Sequence, residues 1–302
     1  MTQREASVVA RESATGAIYD LGYRHYEGVR LGRRAAVATI FVASLRAAFG
    51  LGRGGRSKIV PWGLTAIILV PAAVAGAIRA IVPGAPTPFT YDNYLWSLRI
   101  LLALFVAAQA PELVSGDQRH RVLSLYFSHA LARTDYALAK LGALTAALFI
   151  VAIGPMLVIF LASVLVAADV PAAFGDQLGN LPQVIGSPLL HAVPLAALGM
   201  AIAAFTPRRA YATGAIIAVL LVTAAVGAIL AEAGSGRISQ LAPLIDPFVV
   251  FDGARDWLLG ASLADSPVTA AQVPLPVFGA LTAALAAVGI GAVAWRYRTV
   301  TA

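Results

Sequence analysis

The sequence predicts an all-α fold: a polytopic membrane protein with six transmembrane helices, an N-terminal amphipathic interfacial helix and a re-entrant-like outer loop between helices five and six. Three observations predict this class. The 302 residues are 59% hydrophobic and only 12% charged, whereas soluble domains carry about 25% charged residues. Apolar runs of membrane-spanning length recur along the chain. Basic residues collect between alternate runs, as they do on the cytoplasmic side of membrane proteins.

The apolar runs define the six predicted transmembrane helices. Each is near or above the roughly 20 residues that an α-helix needs to cross a bilayer. The third run contains Gly154-Pro155, which predicts a kink, and the sixth carries small residues at four-residue spacing, which permits close helix approach. The runs are 60–82, 93–114, 138–167, 184–205, 210–231 and 274–295, and the small residues of the last are Gly279, Ala283, Ala287 and Gly291.

The distribution of Lys and Arg predicts the orientation of these helices. With the N-terminus inside, all but four of the 22 basic residues fall in inside segments. The four others are Arg79 and Arg99 near the outer ends of spans, and Arg237 and Arg255 in an outside loop. We therefore expect both termini to be cytoplasmic. The formal charge of +7 follows from this bias, and no nucleic acid is expected as a partner.

Two regions flank or interrupt the predicted spans. Residues 1–58 are expected to form a cytoplasmic arm followed by an interfacial helix, because Val37, Phe41 and Leu45 recur at helical spacing among flanking arginines. Residues 59–302 are expected to form the membrane domain. Its outer loop, 232–273, contains apolar pieces too short to span, which predicts re-entrant or interfacial helices.

Residues that could carry chemistry are few. Cysteine is absent and none of the four histidines has a metal-like spacing with Asp or Glu, so we predict no catalytic residue, no cofactor-binding residue and no metal site in this chain. His191 lies within a predicted span, where an ionisable residue is a functional candidate. No second polar residue accompanies it in the sequence, which favours a histidine hydrogen-bonded to a neighbouring helix.

The chain contains one partial nucleotide-binding pattern and lacks another. Gly50, Gly52 and Gly55 match G-x-G-x-x-G, but they follow a basic helical stretch rather than a strand, so a flexible link is expected. The chain contains no Gly-Lys pair. The phosphate-binding loop G-x-x-x-x-G-K-[ST] is therefore missing, and the chain cannot bind ATP in that manner.

The most distinctive stretch lies between the second and third runs, at residues 109–140. Charged residues there surround an apolar patch, 122–127. A short charged segment with its own hydrophobic patch, held between two spans, suits docking of another protein at the membrane surface. The charged residues that surround the patch are Glu112, Asp117, Arg119, Arg121, Arg133, Asp135 and Lys140.

This stretch resembles the first cytoplasmic loop of type-2 ABC exporter permeases. The similar pattern is Glu112-x-x-x-x-Asp117-x-Arg119-x-Arg121-Val-Leu-Ser-Leu-Tyr126, followed by 128–140, which ends in Ala-Lys. The chain departs from that pattern at His129-Ala130, where Arg-Pro is usual. Residues 19–33 and 243–260 are also similar to the arm and outer loop of such permeases.

The resemblance implies a permease subunit in the bacterial plasma (inner) membrane. A second permease copy or a related permease would complete a dimer, surrounded by membrane lipid, and two separate ABC-type ATPase subunits would dock on the coupling loop, 116–137. ATP and Mg would then be bound by the ATPase, and the cargo would be drug-, antibiotic- or lipid-like. The coupling residues implied are Glu112, Asp117, Arg119, Arg121, Tyr126, Phe127 and Arg133.

Two alternatives remain at this stage. A secondary, ion-coupled transporter is disfavoured because the third, fifth and sixth runs carry almost no ionisable residues. A non-transporting membrane scaffold or an intramembrane enzyme is the other. Copurification of an ATPase would distinguish the ABC exporter permease from both alternatives.

Overall fold

A computed structural model describes Gly28 and residues 32–82, 89–119, 131–261 and 266–299. The chain separates into two units, Met1–Leu31 and Gly32–Ala302. Most of the predicted arm therefore lies outside the described residues. In the second unit, every regular element of the described ranges is helical, as the sequence predicts.

The helices follow the predicted runs closely. In chain order they are α1 (Arg33–Ala48), α2 (Arg56–Ile81), α3 (Tyr94–Ser97), α4 (Arg99–Arg119), α5 (Arg133–Leu165), α6 (Val170–Leu178), α7 (Leu181–Ala204), α8 (Arg209–Ala233), α9 (Arg237–Leu241), a 3-10 turn (Ala242–Ile245), α10 (Pro247–Leu259), α11 (Pro267–Ala270) and α12 (Leu275–Thr299).

Among the described residues, five helices are long and apolar enough to cross a membrane: α2, α5, α7, α8 and α12. The second predicted run, 93–114, folds as the short α3 and the longer α4. These two helices are not among the five, so the total of six remains a prediction.

Burial separates central helices from peripheral ones. In α5 and α7, 44% and 56% of the most apolar stretch is buried, against 17% in α2 and α8 and 22% in α12. Helix α4 also lies inside the bundle, because Leu102, Phe105 and Val106 are fully buried. The core is thus built around α4, α5 and α7, and the peripheral helices expose long apolar faces.

The outer loop predicted at 232–273 folds back into the bundle. A Cβ on Gly227 of α8 would lie 3.0 Å from the Ala242 carbonyl oxygen and 3.4 Å from the Asp246 nitrogen. From Asp246 the chain turns back as α10, and the Thr282 hydroxyl of α12 donates to the Val250 carbonyl at 3.1 Å. Gly227 and Thr282 lie six or seven residues from their helix ends, so this segment reaches about 10 Å into the bundle at 1.5 Å per residue.

Helix α1 ends at Ala48, ten residues before the predicted boundary at 58. Its Val37 and Leu45 pack against the core and Arg46 is exposed, as the helical spacing predicts. The glycine-rich stretch that follows is an ordered turn rather than a flexible link. Gly50 and Gly52 adopt positive φ, a conformation that glycine adopts at little cost, and the Trp62 indole donates to the Phe49 carbonyl at 3.1 Å.

Candidate functional site

The predicted coupling segment is flanked by two helices that are tied together by buried polar contacts. Asp117 near the end of α4 accepts a hydrogen bond from the Tyr136 hydroxyl of α5 at 2.5 Å. The Lys140 ammonium group contacts the same carboxylate and the Leu113 carbonyl oxygen. Lys140 is 8% exposed and Tyr136 is fully buried. A buried ammonium group needs such partners because desolvation of an unpaired charge is costly.

Glu112, one helical turn and a half earlier on α4, joins two further elements to this point. One carboxylate oxygen pairs with Arg53 of the turn between α1 and α2. The other lies 2.5 Å from the Arg209 guanidinium at the start of α8. A single carboxylate therefore connects α4 to the α1–α2 turn and to α8.

The start of α5 has two more attachments. Arg33 of α1 forms a two-pronged pair with Asp135, at 2.5 and 2.7 Å. The Arg133 guanidinium donates to the Arg298 carbonyl near the end of α12 at 3.1 Å. These contacts hold the ends of α1 and α12 beside the first turn of α5.

We call these residues the basic-end network, after the bundle end where α2 begins and α4 ends. Its members are Arg33, Arg53, Glu112, Asp117, Arg133, Asp135, Tyr136, Lys140 and Arg209. A cavity of about 320 Å³ beside it is lined by Arg53, Glu112, Asp117 and Lys140, together with residues of α1. Each carboxylate of the network is engaged by at least one cation, so its chemistry is ion pairing between helices.

Three of the seven predicted coupling residues lie in the basic-end network, and the side chains of the other four lie outside the described part of the chain. Glu112, Asp117 and Arg133 belong to the network. The predicted segment 116–137 is helical at both ends, since 116–119 continue α4 and 133–137 begin α5. Arg119 is the last residue of α4, and its side chain lies outside the described part, as do Arg121, Tyr126 and Phe127 entirely.

The sequence predicts that the acidic pair, Glu112 and Asp117, meets basic groups on a partner or on Arg119 and Arg121. Its described contacts are instead with Arg53, Arg209 and Lys140 of the same chain. The resemblance pattern contains Lys140, but no feature of the sequence marks Arg53 or Arg209, because each is one arginine among many on the same predicted side.

His191 is predicted to bond to a neighbouring helix, and the structure shows one contact within its own helix, between Nδ1 and the Ser187 carbonyl oxygen at 2.8 Å. Its Nε2 atom lies 3.5 Å from the Asp252 carboxylate of α10, a neighbouring helix. Asp252 in turn lies 2.7 Å from Arg255, which is 2% exposed. Asp252 belongs to the outer loop, for which re-entrant or interfacial helices are predicted, but no feature of the sequence indicates that it meets His191.

The described residues contain no group of three or more His, Cys, Asp or Glu arranged to hold a metal ion. Comparison of the chain with protein-family models and with curated proteins found no match.

Proposed function

We propose that this chain is the transmembrane permease subunit of a type-2 ABC exporter. It would pair with a second permease, dock two separate ATPase subunits and move a drug-, antibiotic- or lipid-like substrate out across the bacterial plasma membrane. The resemblance of residues 112–140 to the coupling loop of that family is the first support. The helical, apolar architecture, with five helices long enough to cross a membrane, is consistent with it.

The observation that carries the proposal is the position of the basic-end network. The network joins the two helices that flank residues 120–130 through Asp117, Tyr136 and Lys140. It also joins α4 to the α1–α2 turn and to α8 through Glu112. A displacement imposed on residues 120–130 by an ATPase would therefore be transmitted to four parts of the bundle at once. This is what a coupling segment requires.

The proposal includes a sixth membrane-crossing helix, formed by α4. Its 21 residues span about 31 Å at 1.5 Å per residue, enough for the hydrocarbon core. It carries polar residues such as Gln109, which is 4% exposed, because it is surrounded by protein rather than by lipid. In this proposal the bundle end that carries the network faces the cytoplasm, and α9 to α11 form a re-entrant cap on the outer side.

The proposal assigns ATP hydrolysis to the partner, since the chain lacks a Gly-Lys pair for a phosphate-binding loop. The test is a pull-down titration of the ABC-type ATPase that copurifies with this chain. Arg121→Ala combined with Phe127→Ala should weaken its binding by about 2 kcal/mol, roughly thirtyfold, if these residues are interface anchors. The purified chain alone should show no ATP turnover.

The matched control is Arg237→Ala combined with Ile238→Ala, the same two kinds of change at the opposite end of the bundle. Ile238 is 61% exposed, so this change should leave ATPase affinity unaltered. Equal affinity of all three forms would remove residues 116–137 from the coupling role. Failure of any ATPase to copurify would contradict the proposal itself.

One observation favours a secondary, ion-coupled transporter as the second candidate. The pair of His191 and Asp252 inside the bundle supplies ionisable groups of the kind that the third, fifth and sixth apolar runs lack. Transport that persists without an ATPase and depends on a proton gradient would favour this candidate.

A further inference from the structure

The buried polar atoms that lack a hydrogen-bond partner among the described residues gather in one place. Their residues are drawn from three parts of the chain: the segment before α3, the first half of α7, and α10. The atoms are Asp92 Oδ1, Ser187 Oγ, His191 Nε2, Asp252 Oδ1 and Asp252 Oδ2. An unsatisfied buried polar group costs about 1–3 kcal/mol, so a concentration of them indicates an occupant that supplies hydrogen bonds.

Arg255 does not supply these hydrogen bonds. Its Nε and Nη2 atoms donate to Asp256 at 3.0 and 2.7 Å, and its Nη1 atom donates to the Asp92 carbonyl oxygen. Nη1 also lies 2.7 Å from Asp252 Oδ1, but the angle does not make a hydrogen bond. The guanidinium group therefore neutralises charge, while the Asp252 oxygens keep their unused lone pairs.

The hydrogen bond that His191 makes through Nδ1 determines whether Nε2 carries a proton or a lone pair. Nδ1 lies 2.8 Å from the Ser187 carbonyl oxygen. A carbonyl oxygen only accepts, so Nδ1 must carry a proton. In a neutral ring Nε2 would then present a lone pair to the Asp252 carboxylate at 3.5 Å. Two acceptors would face each other, which is unfavourable unless a proton or a donor lies between them.

The surrounding charges favour a positive occupant. Four carboxylates, that of Asp252 included, and two guanidinium groups form the charged surroundings of His191. Burial raises the pKa of Asp256, and the negative charges of Asp252 and Asp92 raise it further, whereas the positive charge of Arg255 lowers it. Burial also raises the pKa of Asp246, with Asp252 raising it further and Arg99 opposing. Helix α12 carries no charged residue before Arg296, and the charges of α5 lie at the basic end. The groups are Asp92, Asp246, Asp252, Asp256, Arg99 and Arg255.

We propose that His191 and Asp252 form a buried proton-binding site. His191 takes a second proton on Nε2 from solvent and becomes an imidazolium, which donates from Nδ1 to Ser187 and directs Nε2–H at Asp252. The site joins the re-entrant helix α10 to the central helix α7. It does not depend on the proposed function, and either class of transporter could carry it.

The test uses the full chain in lipid nanodiscs with nitrogen-15-labelled histidine. Replacing His25, His120 and His129 with Gln leaves His191 as the only imidazole of the chain, and solid-state NMR distinguishes an imidazolium from each neutral tautomer. At pH 7 we expect the signature of two protonated ring nitrogens. The signature of a neutral ring protonated only on Nδ1 would overturn the proposal.

Two variants identify the partner of the proton. Asp252→Asn removes the carboxylate that faces Nε2 and should convert His191 to the neutral ring at pH 7. Asp256→Asn, on the same helix and equally buried, is the matched control and should leave the imidazolium in place. If His191 stays an imidazolium in Asp252→Asn, Asp252 is not the partner and the proposal is wrong. If either Asp variant fails to fold, the chain with only the three histidine replacements still decides the protonation state of His191.

Discussion

At the scale of single residues, position in the fold decides whether a charge is structural or solvated. Arg255 belongs by sequence to an outside loop that should be poor in cations, yet it is 2% exposed and bonded on every side. Glu112 is predicted to meet basic groups of a partner or of its own loop, yet it joins two arginines from other elements of this chain. Charge counting establishes the overall bias of the chain, but the role of each cation depends on its neighbours.

Asp246 offers a test at this scale, because it caps α10. Its carboxylate accepts a hydrogen bond from the Phe248 amide at 2.8 Å, and the residue is 5% exposed. Asp246→Ala removes the cap and should lower the free energy of unfolding by about 1 kcal/mol. Asp246→Asn keeps a capping oxygen. Thermal unfolding in detergent, with both variants compared to the unsubstituted chain, measures the difference.

The pH dependence of Asp246→Asn follows from the raised pKa of the Asp246 carboxyl, caused first by burial. A carboxyl with a raised pKa in the folded chain holds its proton more tightly there than in the unfolded chain. Its contribution to stability is therefore present at low pH and is lost as pH rises from the unfolded pKa through the folded pKa. Asn does not titrate, so the variant should gain stability relative to the unsubstituted chain as pH rises above about 4. A constant difference across that range would contradict the assignment.

At the scale of helices, tertiary contacts decide which face of an apolar helix is used. Of the four small residues predicted to permit close approach on the last helix, only Gly279 does so: a Cβ there would lie 2.3 Å from the Trp257 ring of α10. The other three do not form its buried face, since Ala283 and Ala287 are exposed and a Cβ on Gly291 would meet no atom within 4 Å. The buried row includes Thr282 and Val293, because α10 and α7 pack against that side. A helix that is apolar all round has no polar face in its sequence to show which side is buried.

Helix α2 shows how a distant side chain shapes a helix. The Tyr94 hydroxyl donates to the Ile68 carbonyl at 2.5 Å and accepts from the Ala72 amide at 3.2 Å. In an unbroken α-helix the Ala72 amide would donate directly to the Ile68 carbonyl oxygen, four residues earlier. A side chain inserted into this ladder, beside Pro71, is a recognised cause of helix bending.

The approach of α4 and α7 gives the prediction at this scale. A Cβ on Gly199 would lie 2.6 Å from Cγ2 of Val106, and a β-branched side chain has little rotamer freedom to give way. Gly199→Ala should therefore lower the free energy of unfolding by about 1–3 kcal/mol. Gly291→Ala, where a Cβ would meet no neighbour within 4 Å, should be neutral or stabilising, as Ala favours a helix. Equal thermal stability of the two variants would show that α4 and α7 are not in close contact there.

At the scale of the whole molecule, the three peripheral helices expose apolar faces that water would not tolerate at this extent. Exposed side chains include Ile67 and Val70 of α2, Val222 and Ile229 of α8, and Val288 of α12. Exposed apolar surface of this size marks contact with lipid or with another protein. The exposed faces surround a core whose polar groups lie near its two ends.

The orientation proposed for this bundle can be tested directly, because the chain has no cysteine. Gly54 at the basic end and Gly175 at the opposite end are both exposed, and a Cβ at either would meet no atom within 4 Å. We expect an impermeant thiol reagent added to intact cells to label Gly175→Cys, and to label Gly54→Cys only after lysis. The reverse pattern would place the termini outside.

The sequence by itself determined the helical class, the bounds of most long helices to within a few residues, and the presence of α1. These features depend on local apolar runs, on helical spacing such as that of Val37, Phe41 and Leu45, and on the basic residues that flank the runs. All of these signals lie within one segment of chain.

Only the tertiary structure decided which helices are central, which face α12 buries, and which charges meet. Asp117 and Lys140 are 23 residues apart, Arg33 and Asp135 are 102 apart, and Asp252 reaches His191 only because the outer loop folds inward. Apolar residues that face lipid and those that face protein are chemically alike, so composition cannot separate them. The pairing of charges across helices depends on the packing of whole elements, which no single stretch of sequence encodes.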